Sequence, residues 1–192
     1  MKKVQIILSA LILGFASLTN AVAAPKPVAV STSASKVVWL AKKVTGEHNG
    51  TVAISKGSLD VDGNKLVGGS FTIDLKSIVC KDLTDPTYNQ KFITHISSGD
   101  FFEVEKFPTA NFVITKVVGN QISGNMTVKG ITKAITFPAQ ISVTGGKVAA
   151  TANITLDRTD YNIKYGSKKF FESIGDKAIY DDFALTVSLV SE

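Results

Sequence analysis

The stretch Lys147-Val148-Ala149-Ala150-Thr151-Ala152-Asn153-Ile154-Thr155-Leu156-Asp157 decides the fold class. Apolar residues occupy every second position from Val148 to Leu156, and mostly small polar residues lie between them. A period of two over this length is typical of a β-strand with one buried face. The same alternation recurs in residues 71–76, 122–128 and 183–189. We therefore expect a chain made mainly of amphipathic strands.

Turn residues separate the alternating runs. Asp62-Gly63-Asn64 and Gly145-Gly146 supply the positive backbone angles that hairpin turns need. Nine runs are predicted as strands: 36–45, 48–55, 57–62, 65–77, 109–118, 121–129, 131–144, 147–158 and 182–190. Short turns between successive strands imply antiparallel pairing. Because such a sheet must resolve its edges as a barrel or a sandwich, single-faced strands favour an all-β, eight-stranded antiparallel barrel.

One segment departs from alternation. In residues 86–96, Tyr88, Phe92 and Ile96 lie four apart and so share one helical face. Asp85 is a suitable N-cap and Pro86 a suitable first helical residue. One short helix is predicted here.

Composition excludes several protein classes. The chain has 192 residues, of which 44% are hydrophobic and 19% charged, which excludes intrinsic disorder. A single cysteine excludes a disulfide framework and a cysteine-rich zinc module. The net charge of +5 comes from scattered lysines, so no nucleic-acid partner is expected.

Phosphate loops, nucleophile elbows and dinucleotide fingerprints are absent from the sequence, so we expect no enzyme and no cofactor.

The N-terminus has the pattern of an export signal. Lys2 and Lys3 precede a mostly apolar run over 4–18, and Ala21-Val22-Ala23 matches a signal-peptidase site. Residues 1–23 are therefore expected to be a cleaved signal peptide, with no stable membrane insertion. The Pro-, Ala- and Ser-rich residues 24–35 are expected to be a flexible leader before a domain over 36–192.

Two longer motifs carry a family resemblance. Asp100-Phe101-Phe102-Glu103-Val104-Glu105-Lys106-Phe107-Pro108 and Gly124-Asn125-Met126-Thr127-Val128-Lys129-Gly130-Ile131-Thr132-Lys133 resemble two hallmarks of the YceI-like family. The resemblance covers about residues 37–190. It implies a lipocalin-like barrel, exported to the periplasm, that carries a long isoprenoid or quinone-like lipid and forms a homodimer. Two departures are the absence of the family's basic residue in 94–99 and Met126 in place of leucine.

The side chains predicted to line the barrel lie at the inward-facing alternate positions of the strands. Two helix residues are predicted to close one end. An apolar lining suits such a ligand, because each buried methylene contributes about 0.8 kcal/mol. The alternative is that these side chains pack together as a solid core. They are Phe71, Ile73, Leu75, Phe92, Ile96, Phe112, Ile114, Met126, Val128, Ile154, Leu156, Phe183 and Leu185.

Three polar residues are candidates for contact with a lipid headgroup: His48, His95 and Arg158. Arg158 is the only arginine, and an ion pair with an aspartate is the alternative role. Its available partners are Asp157, Asp160, Asp176, Asp181 and Asp182. No metal site is predicted, since the histidines would need a third ligand such as Glu47, Asp82 or Asp100. Cys80 is expected to be a buried, inert thiol.

Strand parity and the resemblance to the YceI-like family together imply a periplasmic carrier of an isoprenoid-type lipid. Two other functions stay open at this stage. In one, a solid barrel binds a protein partner through its outer face or through Phe170-Phe171, or serves as a structural protein under stress. In the other, an enzyme uses His48 or His95 on a lipid at the barrel mouth.

Overall fold

The computed structural model describes residues 24–192, and the predicted signal peptide over 1–23 lies outside them. Nine β-strands and one α-helix make up the regular structure, with 3-10 turns at Arg158–Tyr161 and Gly175–Lys177. The elements are β1 (Lys26–Ala29), β2 (Lys36–Lys43), β3 (Gly46–Asp62), β4 (Lys65–Cys80), α1 (Pro86–Ser97), β5 (Thr109–Val118), β6 (Gln121–Val128), β7 (Ile131–Thr144), β8 (Lys147–Asp157) and β9 (Ile179–Val190).

Strands β2 to β9 form a closed antiparallel barrel. Each strand from β3 to β9 pairs with the strand before it in the chain, and β9 also pairs with β2. This last pairing removes the open edges that a sheet of this size would expose. The predicted eight-stranded antiparallel barrel with one helix is confirmed.

Strand β3 corrects the prediction of two separate strands over 48–55 and 57–62. It is one strand of 17 residues, in which Ser55 forms a β-bulge between the pairs Ile54–Ile73 and Lys56–Thr72. The extra residue reverses which parity faces inward, so Val52 and Ile54 are buried before the bulge and Leu59 and Val61 after it. The alternation of apolar and polar residues breaks at Ser55 for this reason, and the segment therefore has the pattern of two strands.

The predicted flexible leader over 24–35 is also corrected. Strand β1 pairs with Leu59 and its neighbours in β3, and Val30 is buried and bridges to Ser191. Among the named strands, β1 pairs with β3 alone, so Pro27 need not donate a ladder hydrogen bond to a second strand.

Helix α1 begins as predicted. The Asp85 carboxylate accepts hydrogen bonds from the N–H groups of Thr87 and Tyr88, at 2.8 and 3.1 Å. Ile96 is buried and Phe92 half-buried, but Tyr88 is 63% exposed. The apolar face expected of all three residues is therefore shorter, because only the C-terminal half of the helix covers the barrel. Within residues 24–192, no helix is long and apolar enough to cross a membrane.

Candidate functional site

The barrel interior is divided into two unequal compartments. At one end an apolar void of about 60 Å³ remains between closely packed side chains. At the other end lies a cavity of about 670 Å³, which is within the range of about 300–1,000 Å³ typical of small-molecule sites. We call these the floor and the open cavity. The interior is therefore filled at one end and hollow at the other.

Three aromatic rings build the floor. The Phe71 and Phe112 rings stack with centroids 6.0 Å apart, and Phe137 lies 5.6 Å from Phe112 at a tilt. Gly124 makes room for them, because a Cβ atom at that position would overlap the Phe112 ring and lie 2.5 Å from the Val113 carbonyl oxygen. The glycine that opens the second sequence motif therefore has a packing role.

All thirteen residues predicted as lining face the interior, but at different depths. Phe71, Phe112, Ile114 and Ile154 border only the floor. The remaining nine border the open cavity, and three of them border both compartments. The nine are Ile73, Leu75, Phe92, Ile96, Met126, Val128, Leu156, Phe183 and Leu185. The solid-core alternative therefore describes only one end of the barrel.

Several lining residues were missed by the sequence analysis. Trp39 stacks on Phe92 with centroids 6.0 Å apart, and it shares the inward parity of Val37 and Ala41 in β2, a signal that was available. Other missed residues come from the connections between strands and follow no period. They are Phe101, Phe102, Ile163 and Tyr165.

His48 belongs to a hydrogen-bonded group at the rim of the open cavity. Its Nδ1 lies 2.7 Å from Asp82 Oδ2, and the Cys80 thiol donates to Asp82 Oδ1 at 3.3 Å. Asp82 Oδ1 also accepts the N–H of Asn49 at 2.7 Å. Gly50 permits this approach of β3 to β4, because a Cβ there would overlap the carbonyl oxygen of Val79. His48 and Asp82 are thus held in place by backbone packing.

The Asp82 carboxyl carries the negative charge of this hydrogen-bonded group. Burial disfavours its ionised form, but hydrogen bonds from Asn49, His48 and Cys80 outweigh burial and lower the pKa of Asp82. An ionised carboxylate only accepts hydrogen bonds, so the His48 proton lies on Nδ1. The opposite ring nitrogen, Nε2, makes no hydrogen bond within residues 24–192, and His48 is one of the residues that line the cavity.

His48, Cys80 and Asp82 are also the one group of metal-ligand type among the described residues. Their ligand atoms lie within 4.8 Å of one another. Burial first, and then the neighbouring Asp82, raises the pKa of the Cys80 thiol. Within the described residues the three side chains are joined through Asp82, which lies within hydrogen-bond distance of both the Cys80 thiol and the His48 ring. We describe the group by these contacts, as a hydrogen-bond cluster.

His95 lies in a separate aromatic group. Its ring is edge-on to Phe101 and Tyr165, with centroids 5.1 and 4.7 Å away, and its Nε2 lies 3.2 Å from Asp100 Oδ2. The side chain is 42% exposed and borders the open cavity. Both candidate histidines thus reach the cavity, from different sides and with different partners.

Arg158 has a structural role, which corrects its place among the headgroup candidates. It is buried, and its five N–H donors are all used within the chain. Four of the contacts go to the carbonyl oxygens of Ile163, Tyr165, Ile179 and Tyr180, at 2.8–3.1 Å. The fifth goes to Asp181 at 3.2 Å, one of the five predicted ion-pair partners. No donor is left for a ligand.

The mouth of the open cavity lies between two segments at the same end of the barrel. One is the β2–β3 hairpin, which contributes Lys42, Lys43 and Thr45. The other is the end of the connection from β8 to β9 together with the start of β9, which contributes Asp176, Lys177 and Tyr180 among others. The side chains that line the entrance include Lys42, Lys43, Thr45, Asp176 and Lys177, which are polar or charged, whereas the wall below them is apolar.

Comparison with known proteins agrees with this architecture. A family model described as the YceI-like domain matches residues 29–191. This chain belongs to the YceI-like family. Two relatives of this YceI-like protein are UPF0312 proteins of Pseudomonas aeruginosa (strain LESB58) and Pseudomonas putida (strain F1). They are 33% identical over 114 residues and 29% identical over 127 residues, covering 50% and 60% of this chain. The matches span 59% and 64% of the length of these curated relatives.

Solved structures with the same fold cover more of the YceI-like chain. BcnA of Burkholderia cenocepacia superimposes with a TM-score of 0.66 at 23% identity, covering 85% of this chain and 99% of BcnA. A polyisoprenoid binding domain from Saccharophagus degradans gives a TM-score of 0.60 at 14% identity, with 85% and 97% covered. A YCEI protein of Campylobacter jejuni gives 0.51 at 17% identity, with 100% and 99% covered. At these identities the likeness concerns the fold.

Proposed function

We propose that this protein binds and carries one long apolar lipid of isoprenoid type, either a polyprenyl or a quinone-like molecule. The observation that supports the proposal most is the open cavity, an apolar space of about 670 Å³ with a closed floor and with polar side chains lining its entrance. The lipid tail lies against residues such as Met126, Leu156 and Leu185, and the head stays at the mouth.

The energetics of the cavity suit a tail without polar groups. Each methylene removed from water contributes about 0.8 kcal/mol, so several isoprene units give affinity without any specific polar contact. The head meets His48 Nε2, which accepts a hydrogen bond when the ring is neutral and donates one when it is charged. His95 lies on another side of the same cavity.

The ligand class is supported by one structural neighbour. The Saccharophagus degradans domain, which shares this fold over 85% of the chain, is named for polyisoprenoid binding. An isoprenoid tail is long and apolar, and the cavity offers a matching wall. We assign the same ligand class to this protein on these two grounds together.

Binding, and not catalysis, is the activity we propose. The Cys80 thiol donates to Asp82, the same carboxylate is hydrogen-bonded to His48, and no hydrogen bond joins the ring to the thiol within the described residues. A nucleophile needs its base within hydrogen-bond reach and a thiolate character, whereas burial raises the pKa of Cys80. The mouth residues are therefore suited to hold a headgroup.

Export to the periplasm and homodimer formation are further parts of the proposal. They rest on the residue pattern of 1–23 and on the family resemblance. N-terminal sequencing of the protein from its native host is expected to begin at Ala24, and light scattering is expected to give twice the chain mass. A mature chain that begins at Met1, or a monomeric mass, would contradict the respective part.

Trp39 provides a direct test of ligand binding. It is the only tryptophan in the chain and it borders the open cavity. Titration with geranylgeraniol should shift its emission, and a short-tailed ubiquinone should quench it. Both effects should saturate at one ligand per chain.

A matched pair of substitutions tests where the ligand lies. Ala110→Phe places a ring inside the open cavity, whereas Ala149→Phe places the same ring on the exposed outer face of β8. We expect the first variant to lose geranylgeraniol binding by about tenfold or more, and the second to bind like the wild type. Equal binding by the two folded variants would contradict the proposed site.

A further inference from the structure

We propose that the mouth of the barrel is a docking surface for an anionic lipid bilayer, through which the bound lipid enters and leaves. The docking surface consists of the β2–β3 turn, 42–45, and the segment 164–180. This inference rests on the proposed function, because it assigns the place from which the lipid is taken.

Exposed apolar side chains are concentrated on this surface. The described residues include ten large hydrophobic side chains that are exposed, and half of them lie in these two short segments. The five are Val44, Tyr165, Phe170, Phe171 and Tyr180, each 39–52% exposed. The Val44 N–H donates to the Ala178 carbonyl oxygen at 3.0 Å, so the two segments form one continuous surface.

Positive charge surrounds these side chains. The docking surface, residues 42–45 and 164–180, contains six lysines and two acidic residues, and the neighbouring Glu47 pairs with Lys42. Lys164 and Lys168 make no ion pair within the described part of the chain, and Lys164 Nζ lies 4.8 Å from the centre of the Phe170 ring. Exposed aromatic rings among lysines are typical of surfaces that enter the headgroup layer, where rings insert and lysines meet anionic lipids.

The docking surface surrounds the entrance to the open cavity. Lys43, Lys177 and Tyr180 belong both to this surface and to the cavity lining. Exposure of a long isoprenoid tail to water is unfavourable, so we expect the tail to pass directly between bilayer and cavity. A mouth pressed against the bilayer provides that passage.

Hydrogen bonds hold both ends of the segment 164–180 in place. Arg158 binds the carbonyl oxygens of Ile163 and Tyr165 before the exposed rings, and those of Ile179 and Tyr180 after them. The Ile179 N–H also donates to the Gly166 carbonyl oxygen at 2.8 Å, which closes the segment into a loop. The rings at Phe170 and Phe171 are therefore presented by a loop whose two ends are fixed.

Vesicle sedimentation of the full mature chain tests the proposal. Vesicles of equal parts phosphatidylglycerol and phosphatidylethanolamine should bind the protein, and added salt should weaken the binding. F170S/F171S and K164Q/K168Q should each weaken it by about tenfold, the first through lost apolar contact and the second through lost charge. Val118→Ser and Lys147→Gln, which change exposed side chains at the floor end, should bind like the wild type.

Binding of geranylgeraniol in solution separates this proposal from the proposed function. The two double variants should keep the Trp39 response to geranylgeraniol, because none of the four side chains lines the cavity. Wild-type protein that binds geranylgeraniol but not the anionic vesicles would overturn the bilayer surface and leave the proposed function intact, with the rings free for a protein partner. Equal sedimentation of the double variants and the two controls would also overturn it.

Discussion

The ring of Phe112 lies nearly parallel to that of Phe71, with a centroid distance of 6.0 Å and an angle of 14° between the planes. The two residues face each other in adjacent strands, and Phe137 packs against the pair. Since the interior beyond this stack holds only about 60 Å³ of space, the stack sets how deeply a ligand enters from the mouth.

Removal of the floor should reduce stability. Phe112→Ala deletes a ring that is 3% exposed, and such substitutions typically cost about 3–5 kcal/mol through lost contacts and the cavity left behind. The free energy of unfolding in urea measures this. Phe112→Leu, which keeps most of the volume, should cost less than the alanine variant, and equal losses would argue against a packed floor.

A closed floor also predicts how affinity depends on tail length. Isoprenoid alcohols of increasing length should gain at least about tenfold in affinity per isoprene unit while the open cavity still has room. The gain should then stop, since further units must remain outside. Titration of Trp39 emission across the series gives the affinities. An affinity that does not change from the shortest tail onward would contradict binding in this cavity.

Arg158 should be essential for the connection from β8 to β9. Arg158→Ala leaves four carbonyl oxygens and the half-buried Asp181 without their donor, and loss of a buried charged partner typically costs about 3–5 kcal/mol. Thermal unfolding and limited proteolysis of residues 162–178 measure the effect. Lys169 approaches the same Asp181 carboxylate from an exposed position, so Lys169→Ala serves as the control and should change stability little. Similar losses in both variants would contradict a special role for the arginine.

Asp82 should contribute stability that depends on pH. Its pKa is lowered in the folded protein, so its ionised form stabilises the fold above the ordinary value of about 3.9. That contribution is lost as the pH falls through the lower, folded-state pKa. Asp82→Asn should therefore be less stable than the wild type near neutral pH, by about 2 kcal/mol. The difference should shrink below about pH 4. A difference that is the same at neutral and acidic pH would show that the carboxylate charge plays no part.

The barrel was predictable because its strands carry a local signal. Alternation in β8 or β9 depends only on which face meets the core, and the chain records this residue by residue. The bulge at Ser55 and the pairing of β1 depend on partner strands distant in the sequence, so the local pattern only showed an interruption.

The sequence predicted which side chains face the barrel interior, but not which of the two compartments each side chain borders. Phe71 and Ile73 have the same parity, yet Phe71 borders only the floor while Ile73 also reaches the open cavity. That division depends on the tilt of the strands and on rings from β5 and β7. Similarly, the sequence offered five aspartates for Arg158, and only the folded connection brings Asp181 beside it.

The most direct test of the central claim is native mass spectrometry of the protein purified without detergent, followed by organic extraction. We expect one bound lipid per chain, with the mass of a polyprenyl or quinone compound. A protein that is free of lipid, and whose Trp39 emission does not respond to added geranylgeraniol, would contradict it.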